Sequence, residues 1–426
     1  MDQPAFWQRL RQYREVERSA FLSECWQLRN SLRSPERLYE FIRVESSQAL
    51  ADDFAASLAS NPMQVRLTPY VLALINWHDP VADPLRRQFI PLASEYVPDH
   101  PALGLDSLSE HQASPVQGVV HRYPSKALLL ATRSCPVYCR FCTRSYLVGG
   151  DTVAVTKAHE AATPNRWQQA LDYIRDTPAI EDVVVSGGDA YSLPARHLWP
   201  LLQTLLEIEH VRSVRVASKV LAVLPCALLD EDGWSSVLVA AQRLARERRK
   251  QFALHTHFNH AREITWVTRL AADALFDRGI KVRNQAVLLR GVNDTPQSLG
   301  TLLDALVALN VEPYYVYLHD LVPGSEALRT PLSTAIELEE ALRGHTSGFD
   351  FPRFVVDLPG GGGKRHVCSF RHYDQGLGVS LFRAPAIDPG RRYYHFDPLP
   401  PQAQRPIGIE GLIEAFDNAH SEALAP

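Results

Sequence analysis

The stretch KALLLATRSCPVYCRFCTRSY, Lys126–Tyr146, holds a short apolar run followed directly by three cysteines within eight residues. The run Ala127–Ala131 has the length of a buried strand, too short for a core helix. The loop after it spaces its thiols as Cys135-x3-Cys139-x2-Cys142. Downstream, five further β-rich runs recur: DVVVSGG (182–188), SVRVAS (213–218), QFALHTHF (251–258), VRNQAVLL (282–289) and PYYVYLHD (313–320). Between or after them lie amphipathic stretches such as NRWQQALDYIRD, HLWPLLQTLLEIEH and PQSLGTLLDALVALN. Strands alternating with helices predict a parallel sheet covered by outer helices. Regular spacing favours barrel winding, and six units fall short of a full eight.

The expected fold class is therefore α/β: an incomplete TIM-like (βα)6 barrel with an N-terminal helical region and an irregular C-terminal extension. Residues 1–115 are read as the helical region and a Pro-rich linker, 116–365 as the barrel, and 366–426 as a cap or oligomerisation segment. With 48 acidic against 44 basic residues, the net charge of −4 suggests neither nucleic acid nor an anionic membrane as partner. The start of the chain lacks a signal-peptide pattern, and no apolar run approaches the roughly 20 residues of a membrane span. A cytoplasmic location is expected, where clustered cysteines bind metal or do chemistry more often than they pair.

The unusual polar residues follow the strand candidates: the cysteine loop, then Gly187-Gly188-Asp189, then His255 and His257, then Asp320. That rim carries the active site in barrel enzymes. Three cysteines in one loop, with the remaining Cys25, Cys226 and Cys368 scattered, do not make the closed four-ligand set of a structural zinc. They suit a four-iron cluster with one iron lacking a protein ligand. The pattern, with Tyr138 and Phe141 before the second and third cysteines, resembles the radical S-adenosylmethionine superfamily. The resemblance implies that Cys135, Cys139 and Cys142 hold a [4Fe-4S] cluster and that S-adenosylmethionine binds the open iron. The strand-terminal Gly187, Gly188 and Asp189 resemble the superfamily's contact to the methionine amino group.

VVDLPGGGGK, Val355–Lys364, ends a strand candidate in four glycines and a lysine. It lacks the frame of a phosphate loop. A lysine that forms a Schiff base with pyridoxal phosphate fits better, the glycines permitting close approach. Taken with RYPSK (122–126), THFNH (256–260), LLRGVND (288–294), YYVYLHDL (314–321) and LRTPLS (328–333), the chain resembles the lysine 2,3-aminomutase family from about Trp26 through Lys364. The resemblance implies an isomerase that interconverts L-lysine and β-lysine by a 5′-deoxyadenosyl radical 1,2-amino shift on a pyridoxal phosphate aldimine. It implies Lys364 as the catalytic, pyridoxal-bearing lysine, with Arg122, Tyr123 and Gln285 near that cofactor and His257 near S-adenosylmethionine. Arg144 would bind the substrate carboxylate, and Asp320 and Asp357 the distal ammonium. Expected partners are a small amino acid, a flavodoxin- or ferredoxin-type reductant, and further copies of this chain in a homo-oligomer. An arginine 2,3-aminomutase is the alternative, with modification of a protein lysine behind it. The chain departs from the family pattern in the SYLVGG stretch (145–150) after the third cysteine and in RVASKV (215–220), both near expected contacts.

Overall fold

The structure is a computed structural model that describes residues 4–158, 167–399 and 408–421. Nine strands form one sheet in chain order: β1 (Val119–Tyr123), β2 (Lys126–Thr132), β3 (Asp182–Gly187), β4 (Ser213–Ala217), β5 (Gln251–Thr256), β6 (Val282–Leu288), β7 (Val311–Leu318), β8 (Arg353–Leu358) and β9 (Gly363–His366). From β2 to β8 every pairing is parallel, whereas β1 and β9 run antiparallel at the two edges. All six strand runs named above are strands, each followed by at least one helix, and β8 adds a seventh parallel strand. The expected incomplete barrel is present. Of the first helix candidate, Asn165 and Arg166 lie outside the described residues; the helix runs Trp167–Arg175.

The outer helices form because their apolar residues recur at three and four. In Ala195–Glu207, Leu198, Leu201, Leu202, Leu205 and Leu206 are buried against the sheet. Thr265 and Thr295 cap the helices Trp266–Asp277 and Pro296–Val307, each accepting a backbone N–H of the first turn. Along β6 the burial alternates, so Gln285 and Val287 face the barrel interior while Asn284 and Ala286 pack outward.

The N-terminal region is helical but broken into short pieces, among them Glu24–Arg29, Pro35–Glu45, Gln48–Ser57, Pro69–Leu74 and Pro84–Phe89. The cause is local: Ser23, Ser34, Ser47, Thr68 and Asp83 each cap one of these segments, and three begin on a proline. This region shares one continuous core with the barrel. Its backbone also cradles the cysteine loop, since Tyr138 N–H donates to Arg66 O at 3.2 Å and Arg140 N–H to Gln88 O at 3.0 Å.

The C-terminal segment, expected to be irregular, is more ordered than its proline content suggests. Strands β10 (His372–Asp374), β11 (Val379–Ala384) and β12 (Asp388–Phe396) make a second antiparallel sheet, followed by the helix Ile409–Ala419. Val379, Leu381 and Phe396 bury one apolar face with Phe416 of that helix. Alternation over a few residues sufficed there, and the prolines fall outside the paired positions. Among the described residues, no helix is long and apolar enough to cross a membrane.

Candidate active site

The barrel does not close by backbone pairing, and the site lies at that seam. The glycine stretch is the turn of a hairpin between β8 and β9, not a mobile linker, and it sets Asp357 directly across from Lys364. Across the seam, Tyr123 on β1 accepts the Lys364 backbone N–H through its hydroxyl at 2.7 Å. Gly363 has φ +71, and a Cβ there would meet the Tyr123 hydroxyl at 2.7 Å. Glycine is needed so that Lys364 can reach this position.

A cavity of about 440 Å³ fills the barrel at this end. Its wall carries Phe141, Thr143 and Arg144 from the cysteine loop together with Asp320, Asp357 and Lys364. Arg122, Tyr123, Gln285 and His257 line it as well. Eight of the residues singled out from sequence thus face one space with the cysteine loop at its edge.

Charge organises the interior. Asp357 pairs with Lys364 Nζ at 3.2 Å and with Arg122, whose two Nη groups lie 3.3 and 3.4 Å from its two oxygens. Burial raises the Asp357 pKa, but Arg122 and Lys364 outweigh it and hold the carboxyl below its usual value. For Lys364, burial favours the neutral amine, yet Asp357 and the Tyr317 and Tyr123 hydroxyls overcome it and the pKa rises. Asp320 forms no ion pair among the described residues, and the more distant Lys364 and Arg122 lower its pKa only in part. Burial, and then the neighbouring Asp357 charge, push it up to about 7, although it accepts a hydrogen bond from Thr143 Oγ1 at 2.6 Å. Two nearby carboxylates are thus driven in opposite directions.

The three cysteine side chains are half-buried thiols. Burial raises all three pKa values, Cys139 to about 12, and Cys142 adds to the rise at Cys135 and Cys139. Among the described residues, no three His, Cys, Asp or Glu groups converge on a point that would hold a single ion. The donor set suits a multi-iron cluster, in which each thiolate takes a different iron and the iron charge offsets the cost of deprotonating buried thiols. Next to the loop, His257 stacks on Phe141 with ring centroids 5.5 Å apart, and its buried Nε2 has no partner. That free nitrogen fits a polar ligand bound beside the cysteines. Lys364 Nζ lies 5.8 and 5.6 Å from the centroids of the Tyr123 and Tyr317 rings, an aromatic setting that would suit a pyridoxal group held on that amine. His255, 3% exposed, also turns an unpartnered Nε2 inward while Gln285 Nε2 meets its Nδ1 at 2.9 Å.

Cys135, Cys139, Cys142, Gly187, Gly188 and Asp189 are not among the residues that line the cavity. The glycines allow a close approach to the protein's own backbone: a Cβ on Gly187 would lie 2.3 Å from Thr132 O, and one on Gly188 2.4 Å from Ser134 O. Gly188 and Asp189 N–H groups donate to those same two carbonyls, stitching β3 to the cysteine loop. The Asp189 carboxylate accepts the N–H groups of Tyr191 and Lys219, at 2.9 and 2.7 Å. These residues shape the loop from behind. Arg144 is itself paired within the protein. Glu110, from the segment read as linker, takes its Nε and Nη2 in a two-point fork at 2.8 and 2.7 Å. Glu110 and Thr143 were missed by sequence reasoning. Thr143 could have been suspected from its place between Cys142 and Arg144, but Glu110 sits in a proline-rich passage with nothing to mark it.

A cysteine loop and a paired lysine sharing one cavity at the rim of a partial barrel define a radical S-adenosylmethionine enzyme that also handles an amine. A family model described as Lysine-2,3-aminomutase matches residues 339–370. L-lysine 2,3-aminomutase of Clostridium subterminale is 40% identical over 345 residues, covering 80% of this chain and 77% of that protein. The Bacillus subtilis L-lysine 2,3-aminomutase is 34% identical, covering 84% and 71%. Glutamate 2,3-aminomutase of Clostridioides difficile is 31% identical, covering 80% and 75%. The chain belongs to the lysine 2,3-aminomutase family.

Proposed function

We propose that this chain interconverts L-lysine and β-lysine by moving the α-amino group to the adjacent carbon. The observation that carries the reading is the acid pair Asp320 and Asp357, set in the same cavity as Lys364 and the cysteine loop. When bound, the four-iron cluster with S-adenosylmethionine supplies a radical that removes substrate hydrogen, and pyridoxal phosphate supplies an electron sink for the migrating nitrogen. Cys135, Cys139 and Cys142 hold the cluster in this reading, and Lys364 Nζ tethers the pyridoxal group.

The remaining work falls to the chain itself. Asp357 keeps a proton on Lys364 Nζ whenever that amine is free, because its carboxylate lies 3.2 Å away. Asp320 retains its own proton up to about pH 7, since burial and Asp357 both disfavour its anion. A substrate ammonium relieves that repulsion, so a cationic side chain enters as Asp320 gives up its proton. A glutamate side chain would add a further negative charge to the pair, which disfavours the glutamate branch of the family. Arg144 anchors the α-carboxylate, a task suited to a planar guanidinium. Phe141, Val287 and Tyr317 on the walls exclude water from the reacting carbons.

The reading also calls for a flavodoxin- or ferredoxin-type reductant, a reducing cytoplasmic setting and assembly into a homo-oligomer. All six cysteines are free thiols, in keeping with a reducing compartment. The test is anaerobic reconstitution with iron, sulfide, pyridoxal phosphate and S-adenosylmethionine, followed by dithionite and lysine, arginine or glutamate in separate reactions. β-Lysine formed from lysine alone is the expected product. Conversion of arginine with lysine left untouched would overturn the assignment.

A further inference from the structure

Glu110 is 2% exposed, a carboxylate inside the protein on a segment with no regular secondary structure. Such a charge is costly to bury unless each oxygen is bonded. Here Oε1 accepts Arg144 Nη2 at 2.7 Å, and Oε2 accepts both Arg144 Nε at 2.8 Å and the Tyr146 hydroxyl at 3.0 Å. Its backbone is pinned too. The Glu110 N–H donates to Asp106 Oδ1 at 3.0 Å, and its carbonyl accepts Ala113 N–H at 3.1 Å and Ser114 Oγ at 2.9 Å. Two residues earlier Leu108 lines the cavity, and Ser107 O accepts the Gly360 N–H of the glycine turn at 2.9 Å. The strap 106–114 thus touches the lysine hairpin and the cysteine loop at once.

A guanidinium presents five N–H donors in a plane, with a side edge (Nε and one Nη) and an end edge (the two Nη groups). Glu110 occupies the side edge of Arg144 and leaves the end edge free. Arg144 also lies within electrostatic reach of Asp357. Left untethered, it could swing toward the acid pair and neutralise the site meant for an ammonium. From these contacts we infer that Glu110 is a positioning residue, which fixes Arg144 with its end edge toward the substrate α-carboxylate and keeps it apart from Asp320 and Asp357. The inference rests on the carboxylate role of Arg144 proposed above.

The test titrates holoenzyme variants, without reductant, with lysine and with 1,5-diaminopentane, which lacks the carboxylate; the pyridoxal absorbance reports binding. Glu110→Gln is expected to weaken lysine at least about tenfold, the scale of a lost hydrogen bond to a charged group, while diaminopentane changes less than about twofold. Glu110→Asp, which keeps the charge but withdraws it by one methylene, is expected to show the same lysine-specific loss to a smaller degree. Equal losses for both ligands would make Glu110 a structural residue only and overturn the inference, as would lysine affinity unchanged in both variants. Arg144→Gln separates the two levels. If it leaves lysine affinity intact, the carboxylate reading of Arg144 itself fails; if it weakens lysine while Glu110→Gln does not, only the Glu110 inference fails.

Discussion

Replacing either aspartate of the acid pair by asparagine is expected to shift the stability of the ligand-free protein in opposite directions. Asp357 carries the buried charge that Arg122 and Lys364 share. Asp357→Asn leaves two cations facing each other, Arg122 with its side chain only 9% exposed and Lys364 with 30%. Removing one partner of a fully buried pair costs about 3–5 kcal/mol; with Lys364 partly solvated, the lower end, about 3 kcal/mol, applies. Asp320 is the reverse case. Its folded pKa of about 7 lies above the ordinary 3.8, so the native state binds more protons than the unfolded one between these values. Its contribution therefore becomes unfavourable as pH rises through that window. Asp320→Asn removes the penalty, on the order of 1–3 kcal/mol at pH 8 once shared with its partner and roughly a third of that at pH 5, because the unfolded carboxyl has already lost its proton there. An entropy of unfolding near 2.1 cal/mol/K per residue over 426 residues converts 3 kcal/mol to about 3 °C. Differential scanning fluorimetry at pH 5 and pH 8 reads both effects. The melting temperature of Asp357→Asn should fall at both pH values, and that of Asp320→Asn should rise more at pH 8 than at pH 5. Two variants that lose stability alike at pH 8, or an Asp320→Asn gain no larger at pH 8 than at pH 5, would refute the opposed roles of these carboxylates.

Lys364→Ala should abolish the pyridoxal absorbance near the visible edge while iron content stays at the level of the parent; an unchanged spectrum would remove the tether assignment. Cys139→Ala should lower bound iron and sulfide in anaerobically reconstituted protein, measured by colorimetric assay, with pyridoxal binding retained. Gly188→Ala places a Cβ against Ser134 O, 2.4 Å from it, and overpacking against backbone costs about 1–3 kcal/mol. Because that carbonyl belongs to the cysteine loop, Gly188→Ala should reduce iron incorporation as well as melting temperature. Normal iron loading in that variant would mean that β3 does not shape the loop.

Much of the barrel was legible because its determinants are local. Six strand runs and the helices among them follow from apolar spacing, and caps such as Thr265 and Thr295 mark helix starts through chemistry within three residues. The cysteine loop is equally local, and so is the glycine run with its lysine. Contacts between distant segments were a different matter. That the two glycines at the end of β3 pack on Thr132 and Ser134 was not legible, since the register of β2 and β3 brings those carbonyls against them. Glu110 lies 34 residues from Arg144, and no periodicity relates the two.

Lys364 marks the boundary between the two kinds of information. Its chemical type and its glycine neighbourhood were written in one short segment of the chain. That it rests opposite Asp357, bridges the barrel seam to Tyr123, and shares a cavity with the cysteine loop was decided by tertiary structure. The physical reason is that burial and charge pairing depend on which segments meet. The same residue type, aspartate, is held deprotonated at 357 by two paired cations and pushed toward its protonated form at 320 by burial and the Asp357 charge.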